Sequence, residues 1–212
     1  MRGSVGSIAA VLGIGVVAWG APEAAHARPV APVVVEVYAT ATLAPGERDA
    51  AWRAGRAALA TASIASRWCE GAREGDADGC ASAPGRRLIV RIADAGTAST
   101  APGRLGYALV DPVARGGTLA TVFADRVREA AAAARADGGR LLGLAIAHEI
   151  GHLLLGTNAH VERGLMRPVW LSEEIRRDAP GDWMWTAGLP AAMRRGLERS
   201  AGQGRLAGEP VQ

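Results

Sequence analysis

The chain has 212 residues, with 24 basic residues, all of them arginine, 21 acidic residues, a formal net charge of +3 and 49% hydrophobic residues. That length suits one hydrophobic core and is short for two domains. The arginines are scattered and no basic run alternates with aromatics, so the charge gives no case for a nucleic-acid partner.

Residues 1–27 open with Arg2, continue through an apolar run over residues 5–19, and end in Ala25-His26-Ala27. A basic start, an apolar middle and a small-x-small ending predict a secretory signal peptide cleaved after Ala27, and hence a secreted or periplasmic protein. The competing reading keeps the run as a membrane anchor, for which it is short of the roughly 20 residues a span needs. The mature domain is then residues 28–200, and residues 201–212 read as a flexible tail.

Within the mature part, the β-branched residues 33–40 predict a strand, and the alanine-rich residues 45–68 place apolar positions at helical spacing. Cys69 and Cys80 flank a Gly- and Asp-rich stretch. In an exported chain such a pair predicts a disulfide; no further Cys or His lies nearby to favour metal ligation instead. Short strands are predicted at residues 87–93, 106–110 and 118–124, then a helix at 125–136, broken by Asp137-Gly138-Gly139. A last helix is expected at residues 190–200, with Pro190 in its first turn. Strand, long helix, strands and one central helix add up to an α+β chain, a mixed sheet backed by helices with a loop-rich C-terminal part.

The central helix carries the chemistry. Residues 141–166 read LLGLAIAHEIGHLLLGTNAHVERGLM, with His148, Glu149 and His152 in the pattern HExxH. Histidines at i and i+4 share one helix face, where their nitrogens converge on one zinc ion. A catalytic zinc takes a third protein ligand and keeps one position open for water; His160 follows within reach of a chain reversal at Gly156. Glu149 would take the proton from the zinc-activated water as it attacks a carbonyl. The chain has 4 His, and all but His26 fall in this short window, on or just after a helix that is apolar nearly all round. Buried histidines need partners, and a cation serves three of them at once.

His148, Glu149, His152, a glycine, a third histidine and a methionine in a Gly-Leu-Met turn resemble the metzincin clan of zinc peptidases, and within it matrixin-like bacterial proteins. The clan pattern is HExxHxxGxxH, whereas here Gly156 arrives one residue late and His160 two. The resemblance implies a zincin-like fold with a twisted sheet, the HExxH helix beneath it and zinc at the floor of a cleft. Carried over by position, His148, His152 and His160 are zinc ligands, Glu149 the general base and Met166 the turn methionine. A second zincin arrangement, that of the gluzincins, draws its third ligand from a glutamate about 20 residues on, which would be Glu173 or Glu174 with Asp178 behind it. The plain reading of that segment is a solvated helix of mixed charge with Glu174 pairing to Arg177 or with the Asp178 neighbourhood.

The sequence therefore leads to an exported Zn2+-dependent peptidase acting on peptide or protein substrate laid along an edge strand, either residues 106–110 or 118–124. The alternative is a non-catalytic, zinc-containing binding module derived from a peptidase, for which Glu149 has no use. Serine or cysteine nucleophile chemistry lacks its motif.

Overall fold

The computed structural model describes residues 32–71, 82–95 and 103–206, with side chains to residue 199. The signal segment at residues 1–27 and Cys80 lie outside the described residues; Cys69 is described.

Five strands form one sheet in the order β2-β1-β3-β5-β4: β1 Val33–Ala39, β2 Ser66–Glu70, β3 Arg86–Ala93, β4 Gly106–Asp111 and β5 Gly116–Phe123. All pairings are parallel except β4 on β5, so the sheet is mixed and β4 is an antiparallel edge. The alternation of β3 explains its placement. Leu88, Val90 and Ile92 are fully buried on one face, while Arg87, Ile89 and Arg91 stand exposed on the other. The register lays Val35 beside Leu88 and Ile92 beside Val122, so apolar rows continue across strands on the buried face.

Helices α1 (Pro45–Thr61), α2 (Ala124–Ala134) and α3 (Gly138–Leu155) follow, and α3 is the core itself. Leu142, Ile146, Ile150, Leu153 and Leu154 are at most 1% exposed, each contributing about 2 kcal/mol on transfer from water. Its N-terminus is capped by Asp137, whose Oδ1 accepts from the Arg140 amide at 3.0 Å. The approach of α1 is close because the contact is made of small residues: a Cβ on Gly143 would lie 2.2 Å from the Ala51 carbonyl oxygen. Arg86 ties the far end together, donating to the carbonyls of Gly117 (2.9 Å), Gly196 (3.3 Å) and Leu153 (3.4 Å). No helix among the described residues is long and apolar enough to cross a membrane.

Three expectations need correction. The helix read over residues 45–68 stops at Thr61; Ser63 takes a left-handed φ of 56°, and Ser66–Glu70 becomes β2, pairing with β1. Of the two candidate edge strands, β5 is interior and β4 is the edge. The last helix, α5 (Leu189–Leu206), runs past Ser200 into the segment read as a tail. Between α3 and α5 the chain is loop-rich, with only the short α4 (Ser172–Arg177) and a 3-10 turn, Pro180–Trp183.

Candidate metal centre

His148, Glu149 and His152 lie on the last two turns of α3, all at least nine-tenths buried. The helix ends at Gly156, whose φ of 71° is the left-handed conformation that glycine adopts without strain, and its amide closes back on the His152 carbonyl at 2.9 Å. The chain then turns under the helix. The Ala159 amide donates to Thr157 Oγ1 at 3.1 Å and the Val161 amide to the Met166 carbonyl at 3.0 Å, which fixes the exposed His160 between them.

The ring nitrogens are assigned by their partners. His148 Nδ1 lies 2.8 Å from the Leu165 carbonyl oxygen, and His152 Nδ1 lies 2.8 Å from that of Thr157. A carbonyl only accepts, so each Nδ1 carries the hydrogen and each Nε2 is left with a bare lone pair. Those lone pairs face each other: Nε2 of His152 is 3.0 Å from Nε2 of His148 and 3.3 Å from Nε2 of His160. All the ligating atoms of the three histidines fall within 4.8 Å of one another. Lone pairs so close repel unless a cation sits between them. Tetrahedral zinc with bonds of about 2.0–2.1 Å spaces its nitrogen ligands about 3.3 Å apart, so the donor set fits zinc.

Burial sets the protonation states. Desolvation, helped by the neighbouring His152, holds His148 down to about 3, and desolvation holds His152 down to about 4. His160 is also lowered, mainly by burial and then by the charge of Arg104. His148 and His152 therefore stay neutral and able to ligate well below the usual histidine range. Glu149 moves the other way, pushed up to about 8 by burial, with Arg104 pulling it back. A divalent cation on the triad would act in the same direction as Arg104 and favour the carboxylate.

The triad forms one wall of a cleft of about 760 Å³ that β4 bounds on the other side. β4 passes close over Glu149: a Cβ on Gly106 would stand 2.9 Å from its Oε1, so only glycine leaves the carboxylate its place. Met166 is 1% exposed and packs beneath α3, where a Cβ on Gly151 would meet its Sδ at 2.7 Å. Met166 thus lies against the residue that precedes His152.

The glutamates of α4 serve another purpose. Glu174 forms an ion pair with the buried Arg167 and accepts from the Leu171 amide at 2.9 Å, while Asp178 pairs with Arg140. The pairing of Glu174 with Arg177 is replaced, since Arg177 binds Asp182. It is His160, and no glutamate, that joins His148 and His152 in a group of potential ligands. Sequence reasoning missed Trp170, which stands edge-on to His148 at 5.7 Å between ring centroids and shares the Leu165 carbonyl with it. It also missed Arg104, in the approach to β4, for which no motif gave a signal.

A scan against protein-family models finds no match, and a search of curated proteins finds none either. Among solved structures the fold is similar to that of archaemetzincin from Methanopyrus kandleri, with a TM-score of 0.50 at 16% identity, covering 81% of this chain and 98% of that one.

Proposed function

We propose that this chain is an exported zinc-dependent peptidase in which His148, His152 and His160 hold the metal and Glu149 is the general base. The observation that supports it best is the convergence of three Nε2 atoms beside a buried carboxylate, at the wall of a cleft whose other side is an edge strand. The likeness to archaemetzincin supports the same reading at the level of the fold.

Bound zinc supplies Lewis acidity, which polarises a carbonyl and makes water a stronger acid. The protein does the rest. An extended peptide pairs its backbone with the free edge of β4, which carries a strand's unpaired donors and acceptors. That pairing sets the scissile bond across the triad. Glu149 then takes a proton from the attacking water on its carboxylate and returns it to the leaving amine. The Leu165 and Thr157 carbonyls keep the two buried rings from turning, so the ligand geometry is prepared before any substrate enters.

Endopeptidase action, export with removal of residues 1–27, and a Cys69–Cys80 disulfide belong to the same proposal; they rest on the sequence. Purified from an exporting host, the protein should begin at Arg28 and contain about one zinc per chain. It should cleave an unfolded protein, and Glu149→Gln should stop cleavage while keeping the metal. Loss of zinc on His160→Ala and its retention on Glu174→Ala would support the third ligand. Equal behaviour of wild type and Glu149→Gln on a broad substrate panel would overturn the peptidase reading in favour of a binding module.

A further inference from the structure

Two arginines line the cleft, and their surroundings differ. Arg167 is 8% exposed, ion-paired with Glu174, with its guanidinium 5.9 Å from the Trp183 ring centroid. Its charge is matched within the fold. Arg104 is exposed on the opposite wall, and no described carboxylate lies within ion-pair distance of it.

The root of Arg104 is nevertheless fixed. Its own carbonyl accepts from Arg126 Nη1 at 3.0 Å, and the next carbonyl, that of Leu105, accepts from the Phe123 amide at 2.8 Å. Two residues further on, Gly106 passes over Glu149, so the Arg104 backbone is no more than about 7 Å along the chain from the residue that covers this carboxylate. Arg104 lines the same cleft as Glu149, His152 and His160. Among the described residues lining the cleft, Glu149 is the sole acidic one. With a divalent cation on the triad the cleft is strongly positive, and its apolar walls focus that field.

We propose that Arg104 selects substrate: its guanidinium binds a substrate carboxylate within one or two residues of the scissile bond, either an acidic side chain or a free chain terminus. The placement relative to a scissile bond rests on the proposed peptidase function; the carboxylate recognition does not. A planar fork with parallel N–H donors matches a carboxylate two-to-two, and at the mouth of a cleft such a pair is less screened than on open surface.

Binding separates the two claims. Zinc-loaded, full-length Glu149→Gln protein is titrated with fluorescent alanine-rich peptides carrying one Glu, Gln or Lys and an amidated end, and with a neutral peptide whose end is free. At least one carboxylate peptide should bind about tenfold tighter than its neutral partner, the scale of a hydrogen-bonded ion pair, with the advantage shrinking as salt is raised. Preference for the Glu peptide assigns the side chain, and preference for the free end assigns the terminus. In Arg104→Gln the ratio should fall to about one, and in Arg104→Glu it should invert in favour of the Lys peptide, a result that misfolding cannot produce. A ratio of one in the protein with Arg104 intact, or an unchanged ratio in Arg104→Gln, overturns the proposal. Running the same peptides with Glu149 present tests the other reading: charge preference without cleavage sinks the peptidase alone, and cleavage blind to charge sinks this inference alone.

Discussion

The two halves of α3 are held by different forces. From Gly138 to Ala147 the helix is apolar and small on the side facing α1, with backbone meeting backbone through Gly139 and Gly143. From His148 to Leu155 the same buried helix carries two imidazoles and a carboxylate, with the two Nδ1 atoms donating to loop carbonyls and the Nε2 atoms turned toward one another. The first half gains from dense packing that tolerates no added atom. The second half gives up some of that gain to keep lone pairs aimed at one point. A fold able to hold the second arrangement needs the rigidity of the first.

Breaking the second half at its base should have the largest effect. Glu149→Gln is expected to lower kcat/KM by about 10²- to 10⁴-fold, or about 3–5 kcal/mol on the barrier, without changing unfolding in the zinc-loaded state by more than a fraction of that. Paired peptide kinetics and metal analysis would show it.

Breaking the first half should act on stability alone. Gly143→Ala sets a methyl 2.2 Å from the Ala51 carbonyl oxygen and 2.8 Å from the Ala54 Cβ, so two helix backbones must part. About 3 kcal/mol of stability should be lost in urea unfolding, with any surviving folded protein still binding zinc. A neutral result would mean that α1 and α3 are not in contact through these residues.

Acidity sharpens the comparison, because only the second half titrates. His148 and His152, at about 3 and about 4 in the fold against 6.5 unfolded, bind fewer protons natively, so stability is lost as pH falls below 6.5. Glu149, at about 8 against 4.5, binds more protons natively, so stability is lost as pH rises from 4.5 towards 8. Between these limits two histidines outweigh one glutamate, and above 6.5 the glutamate acts alone. Metal-free protein should be most stable near pH 6.5, falling by about 1 kcal/mol per pH unit on either side. Thermal melts in chelator across pH would trace both limbs, and Glu149→Gln should flatten the alkaline one. The mildest change is Met166→Leu, a swap of similar volume that should cost less than about 1.5 kcal/mol and leave zinc content intact.

What the sequence made legible was local. The HExxH spacing, the apolar stretch around it and the left-handed stop at Gly156 each depend on a few neighbouring residues, and the structure places His148, His152 and His160 together. The two late residues relative to the clan pattern are absorbed by α3 running to Leu155 and by the tied loop from Thr157 to Val161. Non-local facts were hidden. β2 is a short, polar strand after an alanine-rich helix, and its partner β1 lies across that helix, so periodicity ran the helix on to Trp68. Which strand forms the edge follows from the sheet order, because β5 leaves the hairpin to pair with β3. Glu174 looked available as a ligand because its partner, Arg167, stands beside the turn methionine rather than on its own helix.

The two carbonyls that orient the buried rings belong to Thr157 and Leu165, downstream of the helix they serve. A nascent chain that has formed α3 but not yet this loop has imidazoles with no fixed tautomer and no third ligand. A metal held by these three rings would thus be captured last, on finished protein. Were the chain exported as proposed, metal uptake would fall to the destination compartment.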